Sequence, residues 1–338
     1  MMMNIIKKAI ALPSRFSNYL YDKSDASEHP EKYRIRFTGY YPEPQEYFEN
    51  YYFSHFFNLT NPVKISSYKP DIEFFSVWDS PSKALKSKAK CKIFYTGECV
   101  HSDVYPEFRV FENHLLDSVD LSMGFDYLNK PNYIRYPLWI LYYFNKKPVF
   151  SKDEIKSFID SINSTHFTKS RDIAMIVRHD RHGSREKLLN ALPESVSVCS
   201  AGGWRHNDDS LWNEFKNDKK AYLDQFKFNI CTENFDYPGY VTEKLFQAFY
   251  SDCIPVYWGS GNKPEPEVIN YDAVIFYDPE NPGETAEKIT TLLNNQHLYE
   301  EFRKQPKLLD SSVDYIYDLN VQTHELFENL AEKKGLYK

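Results

Sequence analysis

The chain has 338 residues, of which 42% are hydrophobic and 26% charged, with a net charge of −7. That length exceeds one ordinary core and predicts two domains. The acidic balance argues against a nucleic-acid partner, and no apolar run reaches the roughly 18 residues that a membrane-spanning helix needs.

Elements follow in chain order. The N-terminal MMMNIIKKAIALPSRF has too short an apolar stretch for a signal peptide and could at most touch a membrane surface. Tyr33 to Tyr40 alternates like a strand, and a helix rich in Phe and Tyr is expected over about Glu46 to Phe57. Asp71 to Val77, Lys92 to Tyr95 and Val119 to Met123 read as further strands. Ser151 to Ser164 has an N-cap serine and helical apolar spacing at Ile155, Phe158, Ile159 and Ile162, and is read as the connector between halves.

The second half alternates regularly. Strands are expected at Asp172 to Val177, Ser195 to Cys199, Phe226 to Cys231, Ile254 to Tyr257 and Ala273 to Tyr277. Helices are expected at Arg185 to Leu192, Val241 to Tyr250 and Glu284 to Asn294, and the last 25 residues look helical. Such β-α-β alternation predicts a doubly wound parallel sheet. The expected domains are 1–150, 151–312 and a helical segment 313–338 packing back on the first half. Cysteines 91, 99, 199, 231 and 253 are dispersed, with no CxxC, and are expected to be reduced structural thiols of a cytoplasmic protein.

One stretch carries chemistry: FKFNICTENFDYPGYVTEKLFQAFYSDCIPVYWGS, from Phe226 to Ser260. It reads as strand, polar loop, helix and strand. The loop lies at the carboxyl end of a strand, where open α/β sheets bind ligands. It enters a helix whose first turn would hold Thr242, Glu243 and Lys244, and a helix N-terminus with a lysine suits a phosphate. The same residues also fit an ordinary solvated helix start. His179-Asp180-Arg181-His182 lacks further nearby metal ligands, and Asp208-Asp209 is not a metal-binding Asp-x-Asp.

Three linked blocks in this stretch, FNxCxEN, GYVTEK and IPVYWGS, resemble the donor-binding motif of the α-1,3/4-fucosyltransferases of glycosyltransferase family 10. A looser resemblance runs from about Tyr33 through DIEFFS, FYTGE, MGFDYL and RYPLW. It implies an α/β fold of two Rossmann-like domains facing a cleft (GT-B type), and inverting transfer of L-fucose from GDP-fucose to an oligosaccharide acceptor. By position, Asn234, Tyr240, Glu243 and Lys244 would bind the donor, with Lys244 on the diphosphate. Arg185 would neutralise the leaving phosphate, and Glu98 of FYTGE would be the general base. No metal and no obligatory cofactor are implied. The family usually ends the first donor strand with Ser-Asn, where this chain has Arg178-His179-Asp180. A different nucleotide-sugar donor, or a catalytically silent carbohydrate-binding protein, are the competing readings. The implied setting is cytoplasmic, with at most peripheral contact at the inner membrane.

Overall fold

A computed structural model describes residues 17–40, 57, 63–103, 105–144, 147 and 149–337. The helix expected over Glu46 to Phe57 lies almost wholly outside them. Two parallel sheets are present. The first has the order β2-β1-β3-β4-β5-β6, from β1 (Tyr33–Thr38), β2 (Val63–Ile65), β3 (Ile72–Phe75), β4 (Cys91–Tyr95), β5 (Leu121–Gly124) and β6 (Tyr133–Arg135). The second has the order β11-β10-β9-β7-β8, from β7 (Arg171–Met175), β8 (Val198–Ser200), β9 (Phe226–Ile230), β10 (Ile254–Tyr257) and β11 (Ile275–Phe276). Every strand pair is parallel.

β3 (IEFF) and β10 (IPVY) are largely apolar runs, as befits sheets covered on both faces, whereas β9 (FKFNI) alternates apolar and polar residues. β2 and β6 were not expected from the sequence. Each is three residues long at a sheet edge, too short for a period-2 pattern to register. β11 is shorter than expected, because residues Tyr271–Ala273 form a 3-10 turn before it.

The connector helix spans Lys152–Ser164. Ser151 accepts from the Glu154 N–H while Glu154 reaches back to the Ser151 N–H, a complete capping box. The C-terminal helix Ser312–Lys333 returns to the first sheet, where Phe327 stacks on Phe74 of β3. All five cysteines are free thiols, four of them buried.

In each sheet the chain reverses its order beside the first strand of the unit: β2 and β3 flank β1, and β8 and β9 flank β7. Loops leaving the carboxyl ends of strands on either side of such a point diverge and open a crevice. The two crevices face each other.

Candidate functional site

A cavity of about 550 Å³ lies between the two sheets. Its walls come from the loops after β1, β3 and β4 and the helix Leu138–Tyr143 on one side, and from the loops after β7 and β9 with Lys219 on the other. Glu98, Asn234, Tyr240, Glu243 and Lys244 all line it. Residues 145 positions apart in sequence are thereby brought to one space.

Glu98 sits three residues past the end of β4. A hydroxyl turn fixes its backbone: its N–H donates to Thr96 Oγ1 at 3.0 Å, and Thr96 Oγ1 donates to its carbonyl at 3.1 Å. Gly97 has a steric reason. A Cβ there would lie 2.8 Å from Leu138 Cδ1, so the RYPLW block packs directly under the loop. The Glu98 carboxylate makes no side-chain hydrogen bond among the described residues. Burial pushes its pKa up, with Lys244 pulling the other way and Glu243 and Glu233 adding to the rise.

Across the cavity, the loop after β9 is densely bonded. Glu233 accepts from the Thr242 N–H at 2.8 Å, from the Thr242 hydroxyl at 2.7 Å and from the Lys244 ammonium at 2.9 Å. Burial pulls Lys244 down, but Glu233 and Glu243 carry it above the ordinary lysine range. The helix here begins later than expected, at Lys244, with Glu243 as N-cap. Thr242 lies before the helix, with its N–H and hydroxyl both bonded to Glu233. Glu243 makes no side-chain hydrogen bond among the described residues and faces the cavity.

Arg185 is placed differently from the other five. It is 2% exposed and does not line the cavity. Its guanidinium donates to Thr232 Oγ1 at 2.9 Å, to the carbonyls of His179, Thr232 and Glu233 at 2.5, 2.9 and 3.1 Å, and to Asn234 Oδ1 at 3.4 Å. It braces the loop from behind. Asp180, in the unusual strand end, accepts from the N–H groups of Arg185 and Glu186 and so caps the helix Ser184–Ala191. His179 turns toward the other half, within 3.2 Å of the Tyr105 hydroxyl. Burial first, then Arg185 and Arg181, hold its imidazole below the usual range.

Two further residues knit the halves together: Arg135, which opens the RYPLW block but has no role implied by it, and His101, which lies outside all the blocks. Arg135 of β6 forms a two-pronged ion pair with Glu265 (3.1 and 2.5 Å) and donates to the Gly239 carbonyl of the loop after β9 at 3.0 Å. His101 stacks on Tyr237 of that loop at 4.2 Å between ring centres. His101, His114 and Asp126 are also a group whose ligand atoms lie close enough to hold a metal ion. However, both imidazoles hydrogen-bond the same Asp126 oxygen, at 2.8 and 2.5 Å. Donor atoms around a zinc ion lie about 3.3 Å apart, so the trio as it stands is a hydrogen-bonded cluster.

A family model described as glycosyltransferase family 10 (fucosyltransferase) C-term matches residues 166–322, and one for an alpha-(1,3)-fucosyltransferase FucT N-terminal domain matches residues 35–142. The chain is 28% identical over 305 residues to alpha-(1,3)-fucosyltransferase FucT of Helicobacter pylori, covering 82% of this chain and 57% of that protein. It is 27% identical over 181 residues to alpha-(1,3)-fucosyltransferase B of Drosophila melanogaster, covering 51% of this chain and 40% of that one. The chain therefore spans less than two thirds of the length of these relatives. A solved α1,3-fucosyltransferase with GDP-fucose has a TM-score of 0.54 at 20% identity, covering 87% of this chain and 90% of that one. The two-sheet architecture with a central cleft is thus that of the GT-B fold.

Proposed function

We propose, from the premise that the chain belongs to glycosyltransferase family 10, that it moves L-fucose from GDP-fucose to a sugar hydroxyl with inversion. The observation that carries this is the cavity itself. A partly desolvated carboxylate (Glu98) comes from one sheet, and a lysine (Lys244) with a second carboxylate (Glu243) comes from the other; among the described residues neither carboxylate makes a side-chain hydrogen bond.

Each group then has a step. The acceptor oxygen attacks the anomeric carbon of fucose while the bond to the GDP oxygen breaks, through a transition state of oxocarbenium character. Glu98 takes the acceptor proton, and its raised pKa makes it a better base than an ordinary carboxylate. Lys244 meets the charge that grows on the diphosphate, with Arg185 adding positive potential from behind the wall. Glu243 accepts from ribose or fucose hydroxyls, and Asn234 and Tyr240 close the donor side. Residues 1–150 would carry the acceptor, 151–312 the donor, and 313–338 would tie the halves.

The relatives' names favour an α-1,3 linkage, and O3 of GlcNAc in an N-acetyllactosamine-like glycan is the acceptor that fits them. A lipopolysaccharide precursor at the cytoplasmic face would supply one. No helix among the described residues is long and apolar enough to cross a membrane. The test is a screen of GDP-fucose, GDP-mannose and UDP-sugars against N-acetyllactosamine, with linkage analysis of the product. A fucosylated product with inverted configuration is expected. Turnover only with another donor would refute the assignment.

A further inference from the structure

Glu233 belongs to the loop after β9, yet it does not line the cavity. Its side chain is fully buried, at 0% exposure. Such a carboxylate is costly unless its oxygens are filled, and three donors fill them. Oε1 takes the Thr242 N–H, and Oε2 takes both the Thr242 hydroxyl and the Lys244 ammonium. The ammonium also donates to Thr242 Oγ1 at 3.1 Å.

The backbone of the same residue is used twice more. Its N–H donates to the Trp258 carbonyl at 2.8 Å, and its carbonyl accepts from Arg185 at 3.1 Å. Its seat is shaped by Gly259, where a Cβ would lie 2.7 Å from Glu233 Cγ and 2.8 Å from its Cβ, at a φ of +142°. One residue therefore touches both cations proposed for the diphosphate, and a glycine in the loop after β10 makes room for it.

We propose that Glu233 is a positioning residue for the donor diphosphate: it holds the Lys244 ammonium at the cavity wall and, through its carbonyl, holds Arg185 behind it. The proposal rests on the reading of the cavity as a GDP-fucose site. A lysine head on a four-carbon stem samples many rotamers when nothing fixes it. Pre-orienting it removes that cost from donor binding. A carboxylate near a phosphate would repel it, so its effect is favourable only because the ammonium lies at the wall and the carboxylate behind.

E233Q separates these effects. Gln keeps the shape and can still accept the Thr242 N–H. It places an amide N–H2 group where Oε2 received the ammonium, so Lys244 is expelled. The experiment measures GDP binding by calorimetry for the full chain, E233Q, T242V, K244A and E233Q/K244A, with steady-state kinetics alongside.

E233Q is expected to weaken GDP binding roughly ten- to a hundred-fold and to raise KM for GDP-fucose, with KM for the acceptor unchanged. E233Q/K244A should bind GDP no worse than K244A, because both remove one arrangement. T242V removes one bond from each partner and should lose roughly three- to five-fold; it decides the matter if E233Q does not fold. Unchanged GDP affinity in these variants overturns the proposal, and so does tighter binding by E233Q, which would make Glu233 a repulsive charge. Additive losses in the double variant overturn it too, by showing a separate structural effect. If the unaltered, folded chain fails to bind GDP, the reading of the cavity fails first and this inference with it.

Discussion

The loop after β4 and the loop after β9 face each other across one cavity, and they are held by opposite means. The donor-side loop is saturated. Glu233, Arg185 and Lys244 exchange hydrogen bonds with its backbone and with one another. Around Glu98 the base-side loop is fixed by the Thr96 hydroxyl and by the fit of Gly97 on Leu138, and among the described residues the Glu98 carboxylate makes no side-chain hydrogen bond. The difference matches what each side would have to do. A charged diphosphate is best met by charges already in place. A general base must keep its lone pairs free for the incoming proton, since hydrogen bonds to the charged form would lower its pKa and weaken it.

The comparison breaks most severely at Glu98. E98Q should cut turnover roughly a hundred- to ten-thousand-fold while GDP affinity is unchanged; near-normal turnover would remove Glu98 as base. In the unaltered chain a carboxylate base would work only when ionised. Because burial raises its pKa, kcat/KM should fall as pH drops through a value above the ordinary glutamate range. A limb at or below that range would argue against the assignment.

On the opposite side, K244A should weaken GDP binding roughly ten- to a hundred-fold, measured by calorimetry. Equal affinity would leave the donor-side charges without a role.

G97A sharpens the claim that the base-side loop is held by shape. Its new Cβ would force the loop off Leu138, with a stability cost of about 1–3 kcal/mol and reduced kcat. Donor affinity should remain, and its loss would show that the two loops do not act independently.

The smallest effect is expected at His101, where the loops touch. Burial opposes its charged form, but bonds to Asp126 and Glu112 outweigh this and raise its pKa. A raised pKa in the folded state adds stability that is complete below the unfolded value near 6.5 and is lost as pH rises through the folded one. H101Q should therefore cost about 1 kcal/mol near pH 5.5 and less near pH 9. A melting-temperature difference that does not change with pH would contradict this.

The sequence by itself determined the alternation of strands and helices in the second half and the chemistry-bearing blocks. Buried parallel strands are local apolar runs, and phosphate loops are short and contiguous, so both register in one stretch of chain. Glu98 stands out only through the resemblance of FYTGE to the family, since a lone carboxylate just past a strand end reads as an ordinary surface group. Only the tertiary structure decided how these pieces meet. It put Glu98, Glu243 and Lys244 around one cavity and drew Arg185 back behind the wall. It started the helix at Lys244 and bonded Thr242, just before it, to Glu233. It also spent Asp180 on a helix cap and joined the halves through Arg135 and His101. Those outcomes rest on contacts between residues up to more than a hundred positions apart, such as Arg135 with Glu265. No local period or spacing encodes a contact whose partner is set by the packing of two sheets.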